Sequence, residues 1–173
     1  AEKARAYLRA LLDRLDYVGV LALELFVSGD RLLANEFAPR VHNSGHWTIE
    51  GAATSQFENH LRAITNLPLG PTACRGHAGM LNLIGDIPPA ARRLATPGCR
   101  LHDYGKSPRE GRKLGHITVV ADSAAERDER PAPLGLPPAN ERSSERQAEQ
   151  EVEHDVDEVE DGRAAVGGEP RDP

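Results

Sequence analysis

Tyr17-Val18-Gly19-Val20-Leu21-Ala22-Leu23-Glu24-Leu25-Phe26-Val27-Ser28-Gly29-Asp30-Arg31-Leu32-Leu33-Ala34-Asn35-Glu36-Phe37-Ala38 is the stretch on which the fold turns. Residues 17–27 are apolar almost throughout and read as a strand buried on both faces. Ser28-Gly29-Asp30 is a turn, and residues 31–38 read as the return strand of a hairpin, ended by Pro39. A three-residue turn at Gly29-Asp30-Arg31 pairs Ser28 with Leu32 and sets Glu24 directly across from Glu36. Facing carboxylates destabilise a hairpin unless a cation lies between them. Magnesium suits that place, because it takes oxygen ligands, usually one or two carboxylates plus nucleotide phosphates. A two-residue turn at Gly29-Asp30 shifts the register, and the pair then reads as two glutamates on the wet face of an edge hairpin.

Outward from the hairpin, Ala4, Tyr7, Leu8, Leu11, Leu12 and Leu15 recur at three- and four-residue steps and predict a helix over 2–15. Residues 39–48 have no clean period and read as a polar functional loop. Residues 52–64 look helical, and Pro68, Gly70 and Pro71 break the chain. Short strands are predicted over 79–84, 98–104 and 114–120, the last two joined by a Lys/Arg/Gly loop over 105–113. This is an α+β pattern.

Residues 1–120 carry 15 Lys and Arg against 11 Asp and Glu, whereas residues 121–173 carry 6 against 16. All seven aromatics lie in the first part. The compact part is therefore expected to stop near Val120, with an acidic tail, disordered or a frayed helix over 144–160, from Ala121. No apolar run is long enough to span a membrane, and no apolar core of a signal peptide follows residue 1. Cys74 and Cys99 are too few for a disulfide framework. A soluble, reducing, cytoplasmic setting is expected, with no membrane and no nucleic-acid partner, since no stretch is dense enough in Lys and Arg for a nucleic-acid groove. Ser-His-Asp, G-x-G-x-x-G and P-loop arrangements are missing.

The loop from Asn35 to Thr48 crowds Arg40, His42, Asn43, Ser44, His46 and Trp47 behind the candidate metal ligand Glu36. Arg40 can fork onto phosphate or carboxylate, and Asn43 and Ser44 are neutral donors. His42 and His46 have a spacing that could hold zinc on a helix, but Pro39 and Gly45 argue against a regular helix. Lys106-Ser107-Pro108-Arg109-Glu110-Gly111-Arg112-Lys113 is a candidate phosphate clasp or a solvated basic loop.

With these residues in place, the chain resembles the C-terminal half of N5-carboxyaminoimidazole ribonucleotide synthetases, enzymes of the ATP-grasp superfamily. The motifs are Tyr17-Val18-Gly19-Val20, Glu24-Leu25-Phe26 and Asn35 through Thr48. Further along come Ser55-Gln56-Phe57-Glu58, His60-Leu61-Arg62-Ala63, Asn82-Leu83-Ile84-Gly85, Tyr104-Gly105-Lys106 and Gly111 through His116. The run His42-Asn43-Ser44-Gly45-His46-Trp47-Thr48 is the most specific. Sister ATP-grasp carboxylases and ligases, such as biotin carboxylase, keep the paired acids and the Arg but differ in this loop.

The resemblance implies an ATP-grasp distal lobe over 1–70, a small β-rich C-terminal lobe over 71–120, and a tail over 121–173. It implies a ligase of purine (IMP) biosynthesis that uses ATP, Mg2+ and bicarbonate to N-carboxylate 5-aminoimidazole ribonucleotide through carboxyphosphate. Glu24 and Glu36 would hold magnesium, and Asn35 and Glu36 would border the ATP phosphates. Arg40 and Asn43 would be catalytic, stabilising transferred charge. His42, Ser44, Gly45, His46 and Trp47 would shape the aminoimidazole pocket, and Lys106 and Arg112 would bind the ribotide phosphate. A homodimer is a further implication. The family's phosphate loop, ATP lysines and adenine-contacting segment precede this stretch, so the alternative expectation is an inactive fragment that binds ribotide or a partner only. An exposed apolar lobe face, and hence self-association, is expected with it.

Overall fold

The computed structural model describes residues 2–93 and 97–139. Helix α1 spans Glu2–Leu15, with Glu2 in its first turn and Arg14 in its last, each favourable to the helix dipole. It ends in a Schellman turn. Asp16 is left-handed (φ 48°), Tyr17 N–H donates to the Leu12 carbonyl at 3.2 Å, and Asp16 N–H to that of Asp13 at 3.4 Å. No α1 residue is fully buried.

Strands β1 (Ala22–Ser28) and β2 (Arg31–Ala38) form an antiparallel two-stranded sheet. The three-residue turn expected from the sequence is replaced by a two-residue one, because Ser28 pairs with Arg31. Gly29 at φ 61° takes the first central position, where a type II′ turn wants glycine. The register then slips once: Leu25 pairs with Ala34, but Leu23 pairs with Phe37. This bulge sets Glu24 against both Asn35 and Glu36. The expected strand 17–27 is also shorter and wetter than predicted. Residues 17–21 form a bend, and Phe26, Val27, Leu33 and Phe37 are exposed, since a lone hairpin has little to cover it. At the bend, Gly19 (φ 140°) passes so close to Tyr17 and His60 that a Cβ would meet them at 2.8 and 3.0 Å.

A short 3-10 turn (Asn43–Gly45), helix α2 (Thr48–Gly51) and helix α3 (Gln56–Ile64) follow. Ser55 caps α3 by accepting from Glu58 N–H at 3.1 Å, a Ser-x-x-Glu start. The second sheet orders β3 (His77–Ile84), β5 (Lys113–Ala121) and β4 (Cys99–Asp103), all antiparallel, with the small helix α4 (Pro89–Arg93) between β3 and β4 in sequence. Residues 114–119 in the central strand are all buried. Leu81, Leu83, Ile87, Ala91, Cys99, Leu114, Ile117 and Val119 form the core.

The compact part continues beyond Val120. Helix α5 (Ala124–Glu129), capped by Ser123, and a 3-10 turn at Ala132–Leu134 fold back onto the sheet. Pro131, Leu134 and Ala139 are buried. The expected tail boundary therefore moves from 121 to at least 139, because a few apolar residues suffice where a sheet face is waiting for them. The acidic run 145–161 lies outside the described residues, as does the alternative helix over 144–160. Among the described residues no helix is long and apolar enough to cross a membrane. Exposed large apolar side chains occur on α1 (Tyr7, Leu15), in the bend (Val18) and on the hairpin (Phe26, Val27, Phe37).

Candidate functional site

The two hairpin acids meet at one imidazole. His42 Nε2 lies 2.9 Å from Glu36 Oε1, and His42 Nδ1 lies 3.4 Å from Glu24 Oε1. Asn35 Nδ2 donates to Glu24 Oε2 at 3.4 Å. Both carboxylates thus contact this one ring, half-exposed and open to water. Among the described residues no group of three or more His, Cys, Asp and Glu side chains forms a metal cage. Two convergent carboxylates beside an amide are, however, the donor set magnesium uses when phosphates complete its shell, so these residues fit the ion the sequence implies. His42 and His46 do not converge as a zinc pair: His42 faces the acids, while His46 faces the second sheet.

The loop is held from below by α3. Gln56 Oε1 accepts from His42 N–H at 3.0 Å, and Gln56 Nε2 donates to the His42 carbonyl at 2.7 Å. Gln56 Nε2 also lies 2.8 Å from His46 Nδ1. Thr48 Oγ1 donates to the Gly45 carbonyl at 2.6 Å and accepts from Gln56 N–H at 2.9 Å. Ser44 N–H and Oγ sit on His42 Nδ1 at 3.3 and 2.9 Å. Trp47 begins α2 and packs its ring against Gly51, where a Cβ would meet it at 2.7 Å.

The loop's other side rests on one rung of the β3–β5–β4 sheet. Asn82, His116 and His102 are cross-strand neighbours in that order. Asn82 Oδ1 accepts from Asn43 Nδ2 at 3.0 Å. His102 Nε2 lies 2.9 Å from Glu50 Oε1 in α2. His116 stacks on His102 (centroids 4.4 Å, planes 11° apart) and touches the His46 ring (5.3 Å), while its Nδ1 is 2.8 Å from the Tyr104 hydroxyl. Burial, helped by His102 and His46, pushes the His116 imidazole down to about 3. It is therefore neutral at physiological pH. Burial also lowers His46, with His42, Lys113 and His102 adding to it, and burial raises Tyr104.

The cationic candidates stand at the rim. Lys106 Nζ lies 5.4 Å from the centre of the Tyr104 ring, which meets the His46 ring edge-on at 6.4 Å. Arg112 Nη1 donates to the Ser107 carbonyl at 3.3 Å and so braces the basic loop. Arg40 is exposed and folds back onto the Val41 carbonyl at 3.0 Å. The structure thus joins Glu24, Asn35, Glu36, His42, Ser44, Gly45 and His46 directly, ties Asn43 to the sheet, and leaves Arg40, Lys106 and Arg112 on the exposed rim, each held by a local contact. Such an arrangement can hold a cation between acids, donate neutral hydrogen bonds, and neutralise anions from the rim.

The sequence alone assigns no role to Gln56, Asn82, His102, Tyr104, His116 and Glu50. One signal was available: His116 and Thr118 interrupt the apolar strand 114–120, and buried polar residues want partners.

Residues 1–57 match the ATP-grasp domain model, and residues 78–130 match the phosphoribosylaminoimidazole carboxylase C-terminal domain model. The N5-carboxyaminoimidazole ribonucleotide synthase of Pseudomonas aeruginosa is 60% identical over 122 residues, which is 70% of this chain and 34% of that protein. The synthase of Aquifex aeolicus is 47% identical over 129 residues, covering 72% and 35%. Among solved structures, the Thermus thermophilus synthetase superposes with a TM-score of 0.72 at 57% identity, covering 80% of this chain and 39% of that one. The Aspergillus clavatus synthase, solved with ADP and 5-aminoimidazole ribonucleotide, gives 0.68 at 40% identity, covering 77% and 38%. The chain spans about a third of the length of the curated relatives it matches.

Proposed function

The chain belongs to the N5-carboxyaminoimidazole ribonucleotide synthase family, matching its C-terminal portion, and on that footing we propose that it supplies the metal-and-ribotide side of an ATP-dependent carbon–nitrogen ligase. The reaction transfers the γ-phosphoryl of ATP to bicarbonate, giving carboxyphosphate and ADP. The exocyclic amine of 5-aminoimidazole ribonucleotide attacks the carboxyl carbon, phosphate departs, and the amine nitrogen gives up a proton. The N-carboxylated ribotide then enters IMP synthesis. A cytoplasmic homodimer is part of the same reading.

The residues divide the work. Glu24 and Glu36 hold magnesium, which when bound supplies charge neutralisation at the phosphates; Asn35 and Glu36 border those phosphates. Arg40, an exposed side chain that donates to the Val41 carbonyl, swings onto the transferring phosphoryl. Asn43, steadied by Asn82, donates to the carboxyphosphate. Their contribution is positioning and charge stabilisation rather than covalent chemistry. His42, Ser44, Gly45, His46 and Trp47 shape the aminoimidazole pocket. Lys106 and Arg112 close on the ribotide 5′-phosphate from the rim. The observation that carries this reading is the convergence of Glu24 and Glu36 on His42, the first residue of the His-Asn-Ser-Gly-His-Trp-Thr loop. In the solved Aspergillus clavatus relative, ADP and the ribotide are bound together, which supports a shared site for both.

The test is a chimera of the Pseudomonas aeruginosa synthase in which residues 1–130 replace the corresponding region. The expected result is ADP release that requires both bicarbonate and ribotide and falls on the order of 100-fold with Glu36→Ala. A folded chimera whose ADP release ignores the ribotide, or survives Glu36→Ala, would overturn the proposal.

A further inference from the structure

We infer that Gln56 is a positioning residue for the ribotide loop: its side-chain amide fixes His46 as the Nε2–H tautomer, so that His46 meets its ligand as a hydrogen-bond donor. The inference rests on the reading above that residues 42–47 face the ribotide, and it specifies the chemistry of that contact.

An amide side chain has one acceptor oxygen and one nitrogen with two hydrogens. Gln56 commits the oxygen to the His42 N–H at 3.0 Å and the first hydrogen to the His42 carbonyl at 2.7 Å. A backbone N–H can only donate and a carbonyl can only accept, so the amide cannot be turned over without losing both bonds. The second hydrogen of Gln56 Nε2 is left for His46 Nδ1, 2.8 Å away. Nδ1 must therefore accept, and the ring proton of neutral His46 resides on Nε2. Burial disfavours the doubly protonated ring. His46 Nε2 makes no hydrogen bond among the described residues, while the ring itself is braced by Phe57 (5.2 Å) and His116 (5.3 Å). The group it can take is an acceptor: a carboxylate or phosphoryl oxygen, or an unprotonated ring nitrogen. A protonated amine is refused.

Gly45 fits the same scheme. Its φ is not in the left-handed region, so backbone freedom does not require glycine there. Space does, because a Cβ would lie 2.5 Å from Gln56 Oε1 and push the amide off His42.

The experiment is a two-bond 1H–15N spectrum of the chain labelled at histidine nitrogen, with His46 assigned by His46→Gln. Expected for the ligand-free chain is an unprotonated Nδ1 and a protonated Nε2 at His46. A protonated Nδ1, or an average of the two tautomers, overturns the inference, and this outcome is read on the unsubstituted chain. In Gln56→Glu the carboxylate can only accept, so the proton should move to Nδ1 or the ring become doubly protonated; an unchanged Nε2–H tautomer overturns the inference. If that variant loses its amide dispersion, Gln56→Met serves instead: tautomer averaging supports the inference and a retained Nε2–H contradicts it. Titration with 5-aminoimidazole ribonucleotide on the same samples should shift His46, with at least tenfold weaker binding in Gln56→Glu. A chain that keeps the Nε2–H tautomer but ignores the ribotide would sink the functional proposal while leaving the placement by Gln56 standing.

Discussion

The β1–β2 hairpin and the β3–β5–β4 sheet face the same loop but are built in opposite ways. The hairpin is two strands with Val27 74% and Phe37 51% exposed, and its acids stay in contact with water. The sheet has a central strand whose residues 114–119 are all buried, yet it carries Asn82, His116 and His102 on one rung. Two like charges are tolerable on a wet hairpin because water screens their repulsion. On the rung Asn82 is engaged by Asn43, His102 by Glu50 and His116 Nδ1 by Tyr104, while the buried His116 Nε2 has no hydrogen-bond partner among the described residues. The adaptable acids thus sit on the yielding element and the shape-determining contacts on the rigid one.

That contrast can be broken by substitution. Ile117→Ala, at a fully buried core position, should cost about 2–5 kcal/mol in urea unfolding. Acid should act next. His116 titrates at about 3 in the fold but near 6.5 in the unfolded chain, so the unfolded state takes the proton first as pH falls. Its contribution to stability is whole above pH ~6.5 and is lost down to about pH 3, at up to ~1.4 kcal/mol per pH unit. His46, lowered in the same direction, adds to the loss. The slope should flatten in His116→Phe; an equally steep profile in that variant would assign the acid sensitivity elsewhere. Asn82→Ala, which strips the acceptor from Asn43, should cost about 1–3 kcal/mol, with Asn82→Asp losing less because it still accepts. At the other end, Val27→Ala on the hairpin should change stability by less than about 0.5 kcal/mol. A loss there as large as that of Ile117→Ala would mean the hairpin is packed after all.

Much of this fold is legible in the sequence because its signals are local. The α1 stripe, the hairpin strands and the three short strands all follow from spacing, whereas the helix expected over 52–64 starts only at Gln56, because Ser55 caps it and Ala52 bridges to Cys74. The turn length is not legible because Gly29-Asp30-Arg31 and Gly29-Asp30 differ by one residue, and only the glycine's place in the II′ turn decides between them. The approach of Glu24 to Glu36 nevertheless survives, through a bulge that leaves no mark in the residues. The rung is invisible for another reason: it needs the register of three strands drawn from 77–84, 99–103 and 113–121 at once. The role of Gln56 is not legible in the sequence, because its partners depend on the path of the loop between 42 and 48. The compact part outran its expected end because Pro131, Leu134 and Ala139 are too sparse to register as a hydrophobic pattern.

The most direct measurement is calorimetric titration of this chain with 5-aminoimidazole ribonucleotide. Saturable binding is expected, weakened at least tenfold by Lys106→Ala and by His46→Ala and unchanged by Val27→Ala. The absence of saturation by the folded chain, or binding indifferent to both site substitutions, would contradict the claim that the loop and the basic rim form a ribotide site.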